Sequence, residues 1–325
     1  MSAIDPVADV TGIGVWGVPL AVASGAVRIG TPFLFVSLGE CLTEKSGRVN
    51  LGLEGTLVMG AMSAYAISYY SGSAWLGVLV AGLVGSVLGA LHGWLCSLPR
   101  VNDVAIGIAL ISLGTGLAFF LGKPFIQPSA TKLPAIDLGF WSSSPEVRSA
   151  LQINALFVVG LLLAPAIAFL LARTRWGLVL RTVGESSDAA RSMGYRVNTV
   201  RAIATTCGGF LAGVAGSFLS LFYPGSWNER LSSGQGLMAV ALVIFAQWNP
   251  VRCLWAALLF GASSALGPAL QSVGVSSGYQ LFNAVPYVLT LGIMIATSSA
   301  SRRTGLLGID EPYLSLGTRR AWRRT

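Results

Sequence analysis

Carboxylates and amides gather in two glycine-broken stretches of an otherwise apolar chain. "LTEKSGRVNLGLEG" (42–55) sets Glu44, Lys45, Arg48, Asn50 and Glu54 between apolar runs, with Gly47, Gly52 and Gly55 interrupting the helix. "YPGSWNERLSSGQG" (223–236) does the same further on, with Pro224, Gly225, Gly234 and Gly236 around Trp227, Asn228, Glu229 and Arg230. Each stretch runs into an apolar helix that opens on glycine. Interrupted helices in corresponding halves leave helix ends and backbone groups free to bind a polar solute, so the chemistry in view is binding rather than bond-breaking. Asn50, Glu54, Tyr223, Trp227, Asn228 and Gln235 are the candidate pathway residues. Tyr223 or Trp227 offers an aromatic face to a base or a sugar. Glu54 is the sharpest case, because a carboxylate among apolar residues is costly unless it is paired or faces water. It suits either an ion pair with Arg48 or a contact with a solute hydroxyl or base, and the plainer reading of both stretches is a pair of turns with polar caps.

The elements around these stretches are membrane spans. The chain has 325 residues, 54% hydrophobic and 10% charged, with a mean hydropathy of +0.70. A soluble domain carries about a quarter charged residues. A span needs about 20 mostly apolar residues, and segments 15–39, 51–71, 74–97, 104–122, 153–172, 202–222, 236–248, 251–271 and 281–299 qualify or come close. The expected fold is all-α, a polytopic membrane protein of about eight to ten helices, some interrupted. Arg28 lies within the first segment, which suggests an interfacial helix to about residue 28 and then a half-span. Segment 236–248 is short for a full crossing.

Forty glycines fit such a bundle. Gly77, Ala81, Gly85, Gly89 and Gly93 recur every four residues, as do Gly114, Ala118 and Gly122, and Gly209, Gly213 and Ser217. Such stripes let helix backbones pack closely. The net charge of +8 is placed in loops. Arg173, Arg175, Arg181, Arg191, Arg196 and Arg201 fall in the 173–201 loop, and Arg302, Arg303, Arg319, Arg320, Arg323 and Arg324 in the tail. By the positive-inside rule both are cytoplasmic, and this placement speaks against nucleic acid as a partner. The 123–150 loop is nearly charge-balanced and reads as external. Cys41, Cys96, Cys207 and Cys253 are dispersed and His92 is the single histidine. The cysteines read as buried packing residues and His92 as a packed or pore-lining one, with no metal site or catalytic constellation.

The longest cytoplasmic loop holds "GESSDAARSMGYRVNTVR" (184–201). Ser186 or Ser187 can cap a short helix starting near Asp188, whose charge suits the helix N-terminus, and Gly194 is a natural stop. "DAARSMG" (188–194) resembles the Glu-Ala-Ala-x-x-x-Gly loop of permease subunits of ATP-binding-cassette importers, with Asp188 in place of Glu and Ala189, Ala190 and Gly194 matching. The Ile-x-Leu-Pro that usually follows is absent. "TRWGLVLRTVGESSDAARSMGYRV" (174–197), "SGRVNLGLEGTLVMGA" (46–61) and "LSSGQGLMAVALVIFAQWNP" (231–250) resemble the simple-sugar and nucleoside branch. "NLGLEG" and "WNP" are nearest to its nucleoside-type permeases, which use basic membrane lipoprotein-like binding proteins.

The resemblance covers roughly residues 30–300. It implies a single permease domain over 1–325, with a membrane core 15–299, a coupling loop 173–201 and a basic cytoplasmic tail 300–325. It implies a bacterial inner-membrane protein that carries a nucleoside or simple sugar. The implied partners are an ATPase subunit, a second permease subunit (the same chain or a related one), an extracytoplasmic solute-binding protein and membrane lipids. Glu185, Asp188, Ala189, Ala190 and Gly194 are the implied coupling residues. ATP and magnesium would be bound by the partner. This chain has no Gly-x-x-x-x-Gly-Lys-Ser/Thr, since "GLAFFLGKP" (116–124) has the wrong spacing. An ion-driven secondary transporter is the rival reading, and mid-span carboxylates for a proton relay are scarce apart from Glu54.

Overall fold

The structure is a computed structural model, and it describes residues 17–141, 147–148, 151–229 and 231–272, with helical backbone also at 284–285, 288 and 292. The apolar runs form helices α1 (Gly17–Lys45), α2 (Leu53–Ser71), α3 (Ala74–Leu95) and α4 (Asp103–Gly122). A two-stranded antiparallel hairpin follows, β1 (Ala135–Asp137) with β2 (Gln152–Asn154). The chain continues with α5 (Ala155–Arg173), α6 (Arg175–Glu185), α7 (Ser187–Ser192), α8 (Val197–Leu221), α9 (Gln235–Phe245) and α10 (Pro250–Ser272). Among the described residues six helices are long and apolar enough to cross a membrane: α1, α3, α4, α5, α8 and α10. The protein is a polytopic all-α membrane bundle, and the hairpin is its small non-helical addition. Apart from those four positions, the expected crossing at 281–299 lies outside the described residues, as does the basic tail.

Sequence and structure agree on most boundaries within a few residues, and α1 is the exception. It is one continuous helix through Arg28 and Pro32 rather than an interfacial piece and a half-span. It packs closely against α10. A Cβ on Gly30 would stand 2.8 Å from the Ala257 carbonyl, and one on Gly261 would stand 2.5 Å from that of Ala26. The Thr31 hydroxyl donates to the Val27 carbonyl at 2.6 Å, occupying an acceptor in the turn that the proline disturbs.

The glycine stripes are packing seams. α8 is the most buried of the six spans, and α3 runs antiparallel against it. A Cβ on Gly85 would lie 2.2 Å from the Gly209 carbonyl, and one on Gly213 would lie 2.1 Å from that of Ala81. In a bilayer, where lipid tails are as apolar as leucine, close backbone contact of this kind is a principal source of helix association. The opposite face of α3 exposes Trp75, Leu79, Leu83, Val87 and Trp94. The two tryptophans are separated by about 28 Å along the helix, which matches a hydrocarbon core of about 30 Å bordered by interfacial aromatics.

Two helices begin inside the bundle. The turn 46–52 leads into α2, whose first residues pack on the middle of α4: a Cβ on Gly55 would meet the Leu110 carbonyl at 2.4 Å. Helix α9 has 11 residues, about 16 Å, or half the apolar thickness. Just beyond its C-terminal end the Trp248 indole donates to Glu44, near the end of α1, so α9 begins at mid-depth.

Candidate functional site

The two broken stretches meet on one side chain. Glu54 stands in the first turn of α2 and is 6% exposed. Its Oε1 accepts from the Ser232 hydroxyl at 2.6 Å and from the Gly234 amide at 3.1 Å, and its Oε2 accepts from the Gly236 amide at 2.6 Å. Helix α9 opens at Gly234, left-handed at φ +83°, and no side chain of its own caps it. Glu54 provides that cap from across the bundle. One carboxylate therefore faces the N-termini of two helices, where aligned peptide dipoles favour negative charge. The sequence permitted an ion pair between Glu54 and Arg48, and the structure places Arg48 elsewhere, on Asp103 at the start of α4.

The local sequence makes this joint possible. Gly236 has no room for a side chain, since a Cβ would stand 2.7 Å from Glu54 Cα and 2.8 Å from its nitrogen. The entry to α2 is shaped by Asn50, which is 1% exposed. Its Oδ1 accepts from the Gly52 amide at 3.0 Å, and its own amide donates to Glu40 Oε1 at 2.8 Å. Asn50 is thus a turn-forming residue whose carbonyl side is occupied. Gln235 adjoins the joint at the first position of α9, half-buried, and its buried Oε1 has no partner among the described residues.

Another expected pathway residue, Trp227, lies apart from the joint. Trp227 is 2% exposed, and its indole donates to the Gly122 carbonyl at 2.9 Å. Gly122 is two helical turns beyond Gly114, whose missing Cβ admits Gly55. Trp227 is therefore about 12 Å further along α4. Its ring fills the space over Gly122. Tyr223, 39% exposed, and Asn228, exposed, lie on the same segment before α9. Ser232, Glu40 and the Glu44–Trp248 contact escaped the sequence reading. An i,i+4 pair of carboxylates, Glu40 and Glu44, at the end of an apolar helix was the available signal.

The loop between α5 and α8 folds as two short helices. Thr174 caps α6, its hydroxyl accepting from the Gly177 amide at 3.1 Å, and Ser186 caps α7, accepting from the Ala189 amide at 3.3 Å. Gly194, at φ +84° with open space around it, ends the turn as expected. Asp188 pairs with Arg191 at 3.2 Å on the exposed face. The two alanines differ. Ala189 is exposed, whereas Ala190 is fully buried in a cluster with Val183 and Val197. Glu185 is exposed at the end of α6. Trp176, Leu178, Met193 and Tyr195 are large apolar side chains open to the outside of this segment. A cleft of about 250 Å³ beside it is lined by Arg191, Tyr195, Arg196, Val197 and Asn198.

Helices that begin inside a membrane bundle and join there are the arrangement of a solute transporter. The chain belongs to the family described as branched-chain amino acid transport system / permease component, whose pattern matches residues 22–298. It is 36% identical over 258 residues to a provisionally named glucose ABC transporter permease protein of Haloferax volcanii, with 78% of each chain covered. It is 28% identical over 284 residues to a nucleoside ABC transporter permease protein of Lactococcus lactis subsp. cremoris, covering 81% of this chain and 88% of the relative. It is also 28% identical over 304 residues to a guanosine ABC transporter permease protein of Bacillus subtilis, covering 87% and 93%. The protein is a multi-pass permease subunit of an ATP-binding-cassette importer, a transport component that works with an ATPase and a solute-binding protein.

Proposed function

We propose that this chain, as a single domain, forms the translocation pathway for a nucleoside or simple sugar in a bacterial plasma membrane, with its C-terminus cytoplasmic. The observation that carries the reading is the Glu54 joint. The helix N-termini that would attract an anionic solute already hold a carboxylate of the protein, so the pathway favours an uncharged, hydroxyl-rich solute. The names of the nucleoside, guanosine and glucose relatives support the same class. Gln235 Oε1 offers an acceptor to such a solute, and Asn50 and Glu54 hold the backbone around it. Tyr223, more open than Trp227, is the better aromatic surface for a base or sugar ring, and Asn228 lies on the same segment.

The segment 185–194 docks on the ATPase through Asp188, Ala189 and the apolar side chains around them, with Glu185 and Gly194 framing the helix. Ala190 acts from beneath, holding α7 on Val183 and Val197. ATP and magnesium are bound by that partner, a second permease subunit completes the pathway, and an external binding protein delivers the solute. The arginines of the 173–201 loop support the cytoplasmic placement of this end.

Uptake of labelled nucleosides, pentoses and hexoses by cells lacking this chain, with and without its return, tests the reading. Restoration of nucleoside uptake that needs ATP and survives collapse of the proton gradient is the expected result. Restoration of a sugar alone would move the substrate. Uptake that disappears with the proton gradient would refute the ATP-driven mechanism.

A further inference from the structure

We infer that the turn between α1 and α2, residues 46–52, is the mechanical link between the coupling segment and the Glu54 joint, with Gly184 and Arg201 as its positioning residues. The inference rests on the reading that 185–194 meets the ATPase, and adds a route inward from it.

The route is built from short contacts, several of them between backbones. The last turn of α6 lies directly on the end of α1: a Cβ on Gly184 would stand 2.2 Å from the Lys45 carbonyl and 3.2 Å from the Gly47 amide. Gly47 is left-handed at φ +83°, and a Cβ there would stand 3.1 Å from Gly184 Cα and 3.1 Å from Arg201 Nη2. Arg201 Nε donates to the Ser46 carbonyl at 3.1 Å, tying α8 to the same turn. On the outer side Val183 packs in the cluster with Ala190 and Val197, so α6, α7 and the start of α8 move together. On the inner side the Arg48–Asp103 pair ties the turn to α4, the Asn50 amide bonds Glu40, and Gly52 bonds Asn50 Oδ1. Two residues later comes Glu54, which holds the start of α9.

A push on α7 therefore reaches α9 through the backbone contacts at Gly184 and Gly47 and the hydrogen bonds of Arg201, Arg48 and Glu54. Packed elements of this kind shift as units between discrete arrangements. A displacement of the turn by less than one hydrogen-bond length is enough to separate Glu54 from Ser232 or Gly236, and so to open or close the joint.

The test uses the assembled importer, with its ATPase, second permease subunit and binding protein, in proteoliposomes. Arg201→Met removes the donor to Ser46 while keeping an apolar stem, Arg201→Lys keeps a donor, and Gly184→Ala drives a methyl group toward the Lys45 carbonyl. The readouts are retention of the ATPase subunit, basal ATP hydrolysis, and stimulation of hydrolysis by solute-loaded binding protein. Arg201→Met and Gly184→Ala should keep the ATPase and basal hydrolysis, while stimulation and uptake fall roughly tenfold or more, within the ordinary range of coupling between sites. Arg201→Lys should recover part of the stimulation.

Normal stimulation in Arg201→Met would overturn the inference even if Gly184→Ala proved too disruptive to assemble. Release of the ATPase by Arg201→Met would also overturn it, because the turn would then belong to the docking surface itself. Ala189→Glu separates the two readings. If that variant keeps the ATPase and full uptake, the docking assignment fails independently of the route.

Discussion

Replacing Glu54 by glutamine tests the joint directly, because it preserves shape and removes one acceptor position. The carboxylate accepts three hydrogen bonds, two of 2.6 Å and one of 3.1 Å. An amide in its place has one oxygen. If that oxygen keeps Ser232 and Gly234, the Gly236 N–H faces an NH2 group and has no acceptor. An unsatisfied buried donor costs about 1–3 kcal/mol, and the lost charge at two helix N-termini adds about 0.3–1 kcal/mol at each. The joint should weaken by about 2–5 kcal/mol, so local opening at Gly236 becomes roughly 30- to 4,000-fold more frequent. Amide hydrogen exchange of residues 232–238 in the purified protein measures this, with uptake measured in parallel. Exchange should accelerate there, remain unchanged in α3 and α8, and accompany a loss of transport. Unchanged exchange at Gly234 and Gly236 together with a raised KM for uptake would refute the reasoning, because Glu54 would then be a solute ligand and not a cap.

Other outcomes follow from the same contacts. Gly236→Ala places a methyl group 2.7 Å from Glu54 Cα and should cost about 1–3 kcal/mol through overpacking; full uptake and unchanged thermal stability would contradict it. Ala190→Glu buries a charge beside Val183 and Val197 and should cost several kcal/mol, making the 174–197 segment protease-sensitive, while Ala189→Glu should leave proteolysis unchanged and reduce only co-purification with the ATPase. Gly85→Leu sets a side chain 2.2 Å from the Gly209 carbonyl, so the α3–α8 seam must part and the yield of folded protein should fall sharply, as measured by size-exclusion chromatography. Cys96 is 3% exposed at the end of α3, so maleimide should modify it only after unfolding.

The sequence by itself determined the class of fold. Apolar runs of span length are incompatible with any other solvent, and the glycine stripes marked the helix faces that must touch, because only a missing side chain allows backbone contact at Gly85 and Gly209. Serine before "DAARS" and glycine after it determined the short helix α7 through local capping. What Glu54 does was decided only by the tertiary structure. A carboxylate and its acceptors' partners lie about 180 residues apart in the chain, and no local rule of spacing or propensity connects them. The same holds for Ala189 and Ala190, adjacent and identical in sequence yet on opposite faces of α7, one open and one buried. Arg48 shows the reason most simply: in sequence its nearest following carboxylate is Glu54, and in space it is Asp103, because the turn 46–52 directs the two side chains to different helices.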